Sequence, residues 1–287
     1  MNDSSTLSKL SLAPGLQLTL RDWPLADPAA VRAQVLIVHG LGEHSGRYEH
    51  VAQQLNSWGY AVRSFDLWGH GLSDGERGSM RDEHALLDDL AAVVDHTRKT
   101  MQPGQSLVLL GHSLGGLVAA RFVSLRMRPI DALVLSSPAL DPGLNAFQKV
   151  LLATLPGIAP NLRVGNGLQV KYLSHDPAVV AAYQADPLVH DRICARLALF
   201  IAQEGREVLA AAPRWNTPTL LLFAGQDKLV SPQGSRDFLK LAPGAIVQSL
   251  CFEALFHEIF NEAEAGGVFT ALQQWLLVGW ADLAATA

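Results

Sequence analysis

The stretch Ser106-Leu107-Val108-Leu109-Leu110-Gly111-His112-Ser113-Leu114-Gly115-Gly116 constrains this chain more than any other. An apolar run enters Gly-His-Ser-Leu-Gly and passes at once into a helical pattern, with Leu117, Val118, Ala120 and Phe122 apolar and Arg121 and Arg126 charged. That order reads as strand, sharp turn and helix, with a serine at the apex. A hydroxyl there stands free of its own backbone, and small flanking residues let neighbouring backbones approach.

The same alternation recurs along the chain. Ala33 to Val38 is apolar apart from Gln34 and ends in His39-Gly40-Leu41-Gly42. Ala61 to Phe65 leads into the glycine-rich loop Asp66 to Gly75, Ala132 to Leu135 ends at Ser136-Ser137-Pro138, and Thr219 to Phe223 follows later. Continuous apolarity predicts strands buried on both faces, as in a parallel sheet. Amphipathic segments lie between them: one carries Tyr48, Val51, Leu55 and Trp58, and another Leu86, Leu87, Leu90, Val93 and Val94. Leu16 to Leu20 alternates instead and is expected as an antiparallel edge strand. A helix near Pro232–Leu241, a strand near Ile246–Phe252 and a final helix with Val268, Leu272, Trp275, Leu276 and Trp280 on one face close the chain. The fold class is therefore α/β, a mostly parallel central sheet with helices on both faces.

The rhythm breaks between Asp141 and Pro213. That region predicts helices over Phe147–Leu155, Ala178–Ala185 and Ile193–Ala202, with prolines at 156, 160, 177 and 187 and no convincing strand. The expected organisation is a core of residues 1–140 and 214–287 with a helical cap, a lid, inserted at 141–213. It would lie over the carboxyl edge of the sheet, where open α/β sheets place their sites.

Composition narrows the class of function. At 287 residues, 49% apolar and 17% charged, the chain has enough apolar material for a wide core or an apolar pocket. A net charge of −5 offers no basic field for nucleic acid or anionic lipid. The start, Met-Asn-Asp-Ser-Ser-Thr-Leu-Ser, lacks the basic and apolar regions of a secretion signal, and no run of about 18 apolar residues predicts a membrane span. A soluble, cytoplasmic protein is expected. Cys194 and Cys251, far apart in sequence, are expected as reduced thiols, in keeping with that compartment. The oligomeric state is not legible.

Gly-x-Ser-x-Gly by itself is weak, and the chain contains it twice, at Gly111–Gly115 and Gly71–Gly75. Only Ser113 has a strand before it and a helix after it; Ser73 sits in a loop. A serine hydroxyl needs a histidine to take its proton and a carboxylate to hold that histidine's tautomer. On a sheet of this kind the order is serine, acid, histidine. Of His175, His190 and His257, only His257 follows the last strand; the others fall in the insertion. Asp227, just beyond the strand at 219–223, is the expected acid, with Asp141 as a rival that a turn or N-cap role would explain. The oxyanion then needs two N–H donors, expected from the backbones of Leu114 and Leu41. His39, His44, His70 and His112 belong to glycine-rich turns without zinc-ligand spacing, so no metal is expected. No cofactor is required, since nucleophile, base and oxyanion donors are all protein groups.

Four blocks extend this pattern: His39-Gly40-Leu41-Gly42-Glu43-His44-Ser45-Gly46-Arg47-Tyr48; Asp66-x-x-Gly-His-Gly-x-Ser73; Gly111-His112-Ser113-Leu114-Gly115-Gly116; and Tyr183-Gln184-Ala185-Asp186-Pro187-Leu188. Together they resemble the monoacylglycerol lipase and lysophospholipase-like branch of the α/β-hydrolases, over about residues 30 to 280. The resemblance implies a serine ester hydrolase with a lid, acting on a small acyl ester such as a monoacylglycerol. Lysophospholipase, thioesterase or acyltransferase activity with the same triad is the alternative, and a non-catalytic binding protein would need a broken triad. It also implies that Glu43, Arg47 and Tyr183 lie near the alcohol side of the pocket. A salt bridge shaping the oxyanion loop, for Glu43 and Arg47, and a packing role in the cap, for Tyr183, are the other readings. Val150, Leu151, Leu152, Leu155 and Ile158 would line an acyl channel, touch a lipid surface transiently, or pack on the sheet. One departure is Ala254, where the family usually has glycine three residues before its histidine. If that position needs a positive φ, alanine costs stability and shifts the His257 loop.

Overall fold

The structure, a computed structural model, describes residues 5–143 and 154–280. Its main sheet has eight strands: β1 (Thr6–Ala13), β2 (Leu16–Trp23), β3 (Ala33–Val38), β4 (Tyr60–Phe65), β5 (Ser106–His112), β6 (Ala132–Ser136), β9 (Thr219–Ala224) and β10 (Val247–Phe252). Their spatial order is β1-β2-β4-β3-β5-β6-β9-β10. From β4 to β10 all neighbours are parallel, while β2 pairs antiparallel with both β1 and β4. This is the mostly parallel α/β sheet that the strand pattern predicts, in agreement with the α/β-hydrolase fold that the resemblance implies. The expected edge strand at Leu16–Leu20 is instead internal: β1 covers it as the outermost strand. β1 shows little sequence signal because most of its residues are exposed and only half of a hairpin face needs apolar side chains.

Alternate residues of each central strand feed two separate cores. Leu36 and Val38 of β3, with Leu107 and Leu109 of β5, join the core under α2 (Ala85–Thr100) and α3 (Leu114–Ser124). Val35 and Ile37, with Val108 and Leu110, join the opposite core under α1 (Glu49–Ser57) and α7 (Gly266–Gln274). The strands are apolar throughout because both faces are covered.

Helix α3 ends in a Schellman motif: Met127 N–H donates to Phe122 O at 3.3 Å and Arg126 N–H to Val123 O at 2.9 Å. The motif puts exposed Arg126 at φ 53°, a conformation glycine adopts without strain. Arg126→Gly is therefore expected to stabilise the fold by about 1 kcal/mol, read as a rise in thermal midpoint.

The segment expected to be purely helical holds α4 (Pro177–Ala185) and α5 (Ala195–Ala211), but also β7 (Arg163–Gly165) and β8 (Arg192–Cys194), paired antiparallel. Three-residue strands are too short to show a period, which is why the pattern missed them. The helix expected over Ile193–Ala202 starts later and runs longer, with the Cys194 sulfur accepting the Leu197 N–H as its cap. Of the helix expected at Phe147–Leu155, and of the apolar Val150, Leu151 and Leu152, all but residues 154 and 155 lie outside the described residues; 154–158 is helical. Helix α6 occupies Pro232–Leu241 as expected.

Candidate active site

The strand order reverses at β3, which is flanked by β4 and β5, and the loops after β3 and β5 carry the first two parts of the site. Ser113 terminates β5 at φ 53° and ψ −117°, one of the few non-glycine residues with positive φ. The strain is held from both sides: Ser113 N–H donates to Ser136 O, and Ser113 O accepts from Ala139 N–H, each at 3.0 Å. Gly115 is required here, because a Cβ on it would sit 2.1 Å from Val38 O.

His257 lies in the loop after β10 and Asp227 in the loop after β9. Nδ1 of His257 meets Oδ2 of Asp227 at 2.6 Å, with both side chains buried. The other oxygen, Oδ1, accepts N–H groups from Leu229 at 2.8 Å and Val230 at 3.0 Å. Burial would raise the Asp227 pKa, but the His257 ring and these hydrogen bonds hold it below the usual carboxylate range. Burial would lower that of His257, and the facing Asp227 carboxylate outweighs it and raises it. With Nδ1 tied to the carboxylate, Nε2 is the nitrogen left for chemistry.

Ser113 and His257 line one cavity of about 340 Å³ together with Leu41 and Leu114. The rest of its lining is mainly apolar, with Ala139, Val164, Leu173, Ile193, Ile201 and Val230 among it, while Glu43, Tyr183 and Glu258 make a polar region. Such a volume falls within the range of small-molecule sites. His112 packs against His257 at a tilt of 51°, with ring centroids 4.8 Å apart, and has Nδ1 3.0 Å from Ser136 Oγ. Burial and the neighbouring His257 push its pKa down to about 4, so it stays neutral.

The rivals are occupied elsewhere. Ser73 Oγ donates to Asp66 O at 2.6 Å and accepts Thr19 N–H at 2.8 Å, which makes it a fastener between loop and sheet. His175 pairs with Glu262 at 2.8 Å and stacks on Phe256, and His190 packs its ring 4.6 Å from that of His70. Asp141 caps its own turn by accepting Gly143 N–H at 2.9 Å. Ala254 is not among the described non-glycine residues of positive φ, so alanine fits there without strain. Among the described residues no three His, Cys, Asp or Glu side chains gather as metal ligands would.

Glu43 and Arg47 form a buried ion pair at 2.7 Å. The Glu43 Oε1 also accepts the Gly40 N–H at 2.6 Å and the Tyr48 hydroxyl at 2.8 Å, so the loop after β3 is pinned from within. Burial acts against ionisation of Glu43, and Arg47 overcomes it and holds the carboxyl well below its ordinary range. Tyr183 is buried, with its ring 4.7 Å from the Arg47 guanidinium carbon. Arg47 itself does not line the cavity; Glu258 does, and sequence reading missed it. Its one signal is a charged residue directly after His257 in an otherwise apolar run.

A family model described as Hydrolase_4, serine aminopeptidase S33, matches residues 29–264. The monoacylglycerol lipase of Mycolicibacterium smegmatis is 32% identical over 280 residues, covering 96% of this chain and 98% of that protein. An abhydrolase domain-containing protein of Dictyostelium discoideum is also 32% identical over 280 residues, and the chain spans only 29% of that protein's length. Among solved structures, the monoacylglycerol lipase of Paleococcus ferrophilus aligns with a TM-score of 0.81 at 35% identity, covering 91% of this chain and 99% of that one.

Proposed function

The chain belongs to the family described as Hydrolase_4, serine aminopeptidase S33, and from that premise we propose that it is a serine ester hydrolase acting on monoacylglycerol-like substrates. The observation that carries the reading is the His257–Asp227 pair meeting the strained Ser113 turn at one largely apolar cavity. Ser113 Oγ attacks the ester carbonyl while His257 Nε2 takes its proton, and Asp227 holds the ring and stabilises the imidazolium. The Leu41 and Leu114 N–H groups hold the oxyanion. His257 then protonates the leaving alcohol, and water, activated by the same base, releases the fatty acid from the acyl-enzyme.

The family description names an aminopeptidase, and the polar region argues for an ester instead. An amino terminus would need a free carboxylate, whereas Glu43 and Glu258 are both taken by Arg47. The apolar lining suits an acyl chain, and relatives named as monoacylglycerol lipases match across nearly the whole chain. Glu43 and Tyr183 lie on the alcohol side, with Arg47 behind them. Residues 141–213 act as the cap over a core of 1–140 and 214–287. Ile158 is 83% exposed, with Leu162 and Val164 beside it in sequence and also exposed, which supports transient contact of this cap with a lipid surface. No helix of the described residues is long and apolar enough to cross a membrane. Free Cys194 and Cys251 support a reducing, cytoplasmic setting.

The test is a rate comparison on monoacylglycerol, lysophospholipid and acyl thioester. Monoacylglycerol is expected to give the highest kcat/KM; faster turnover of either of the others would move the assignment to the alternative. The pH profile has a definite sign as well. His257 must be neutral to accept a proton, and its pKa is raised, so kcat/KM is expected to climb with pH through a midpoint above about 6.5. A profile flat from acid to neutral pH would remove His257 as the base.

A further inference from the structure

Three buried charges beside the site take no part in the steps above: Glu43, Arg47 and Glu258, whose side chains are 5%, 11% and 5% exposed. Arg47 Nη1 donates to Glu43 Oε2 at 2.7 Å and to Glu258 Oε1 at 2.6 Å, while Nη2 donates to Glu258 Oε2 at 2.7 Å. One guanidinium therefore joins two loops. Glu43 belongs to the loop after β3, which carries Leu41, and its Oε1 pins the Gly40 N–H in that loop. Glu258 directly follows His257 in the loop after β10, and Asn261 Nδ2 donates to its Oε2 at 2.8 Å to fix the carboxylate.

We propose that Arg47 and Glu258 are positioning residues, which lock the loop of His257 onto the loop of Leu41 so that base and oxyanion donor keep one spacing across Ser113. The proposal rests on the reading of Ser113 and His257 given above. Sheet order supplies the reason such a lock is needed. Between β3 and β10 stand β5, β6 and β9, so no ladder hydrogen bond joins the strands from which the two loops emerge. A planar fork suits the task, since it reaches two carboxylates at once, whereas a lysine would be a single point charge. The Tyr183 ring packs against the same group, its centroid 4.7 Å from the guanidinium carbon.

Glu258→Gln keeps the shape and one hydrogen bond but loses the charged clamp, and Arg47→Lys keeps the charge but loses the fork. Both are assayed on p-nitrophenyl butyrate, whose phenolic leaving group cannot report glycerol recognition. Because misplacing a catalytic group by a fraction of its reach costs on the order of 100-fold, kcat is expected to fall by about that factor with KM changed by less than about threefold. The rate of Ser113 labelling by a fluorophosphonate should fall in parallel. His257 faces Asp227, His112, Glu258 and Glu43, so loss of the Glu258 charge should also move the acid limb of kcat/KM to lower pH, a shift that a purely structural role would not produce. Thermal melts identify any variant that fails to fold, and the other variant then decides. Wild-type kcat and labelling in a folded variant would overturn the proposal, as would a raised KM at unchanged kcat. Failure of the unaltered protein to label at Ser113 would instead sink the underlying functional reading.

Discussion

Ser113→Ala is expected to lose ester hydrolysis by about six orders of magnitude while the protein stays folded. The other serine of a Gly-x-Ser-x-Gly match cannot take over: Ser73 is not among the residues lining the cavity and has its oxygen bonded on both sides, while His112 has its Nδ1 on Ser136. What remains should be the modest rate enhancement that oxyanion donors and binding give without a nucleophile. Ser113→Gly should be equally inactive but more stable than Ser113→Ala, by about 1 kcal/mol, because φ 53° and ψ −117° cost a residue with a Cβ what glycine does not lose. Turnover assays with circular dichroism melts check both halves. Hydrolysis by Ser113→Ala near the wild-type rate would end the acyl-enzyme reading.

Asp227→Asn should cost about four orders of magnitude in kcat with the fold intact. The asparagine oxygen can still accept the N–H groups of Leu229 and Val230, so the loop keeps its shape. Its amide nitrogen, however, donates to His257 Nδ1 and so moves the ring proton to Nε2. A ring protonated there cannot take the proton of Ser113. Asp141→Asn is the control, because that carboxylate only closes a turn with Gly143, and its kcat should stay within about threefold of wild type. A large loss at Asp141 with little at Asp227 would exchange their roles.

Much of the fold and of the candidate site is legible because the signals are local. The continuous apolarity of β3 and β5 announces burial on both faces, and glycines at the strand ends announce turns. Two matches to one motif were separated by the same means: the strand before Ser113 and the helix after it are visible in sequence, while Ser73 lacks both. Where elements are short or half exposed, the signal fails. β1 hid its pattern in solvent, and β7 and β8 have three residues each, below the length at which a period can be read.

The Ala254 departure teaches the converse. By family pattern it implied a strained loop, yet the backbone there never enters the positive-φ region, so the substitution has no conformational cost. A residue type constrains φ only where the turn demands it, and turn geometry depends on what packs around it.

By itself, then, the sequence determined the alternation of the central strands and helices, the serine at the apex of a strand-to-helix turn and the segments proposed to carry its acid and base, because each is written in contiguous residues whose backbone preferences act over a few positions. Only the tertiary structure decided that Arg47 would stand between Glu43 and Glu258, the latter 211 residues away from it. Burying three charges together is favourable only when each finds its partner at hydrogen-bond distance, and that condition is met by the folded sheet, not by any local stretch of chain.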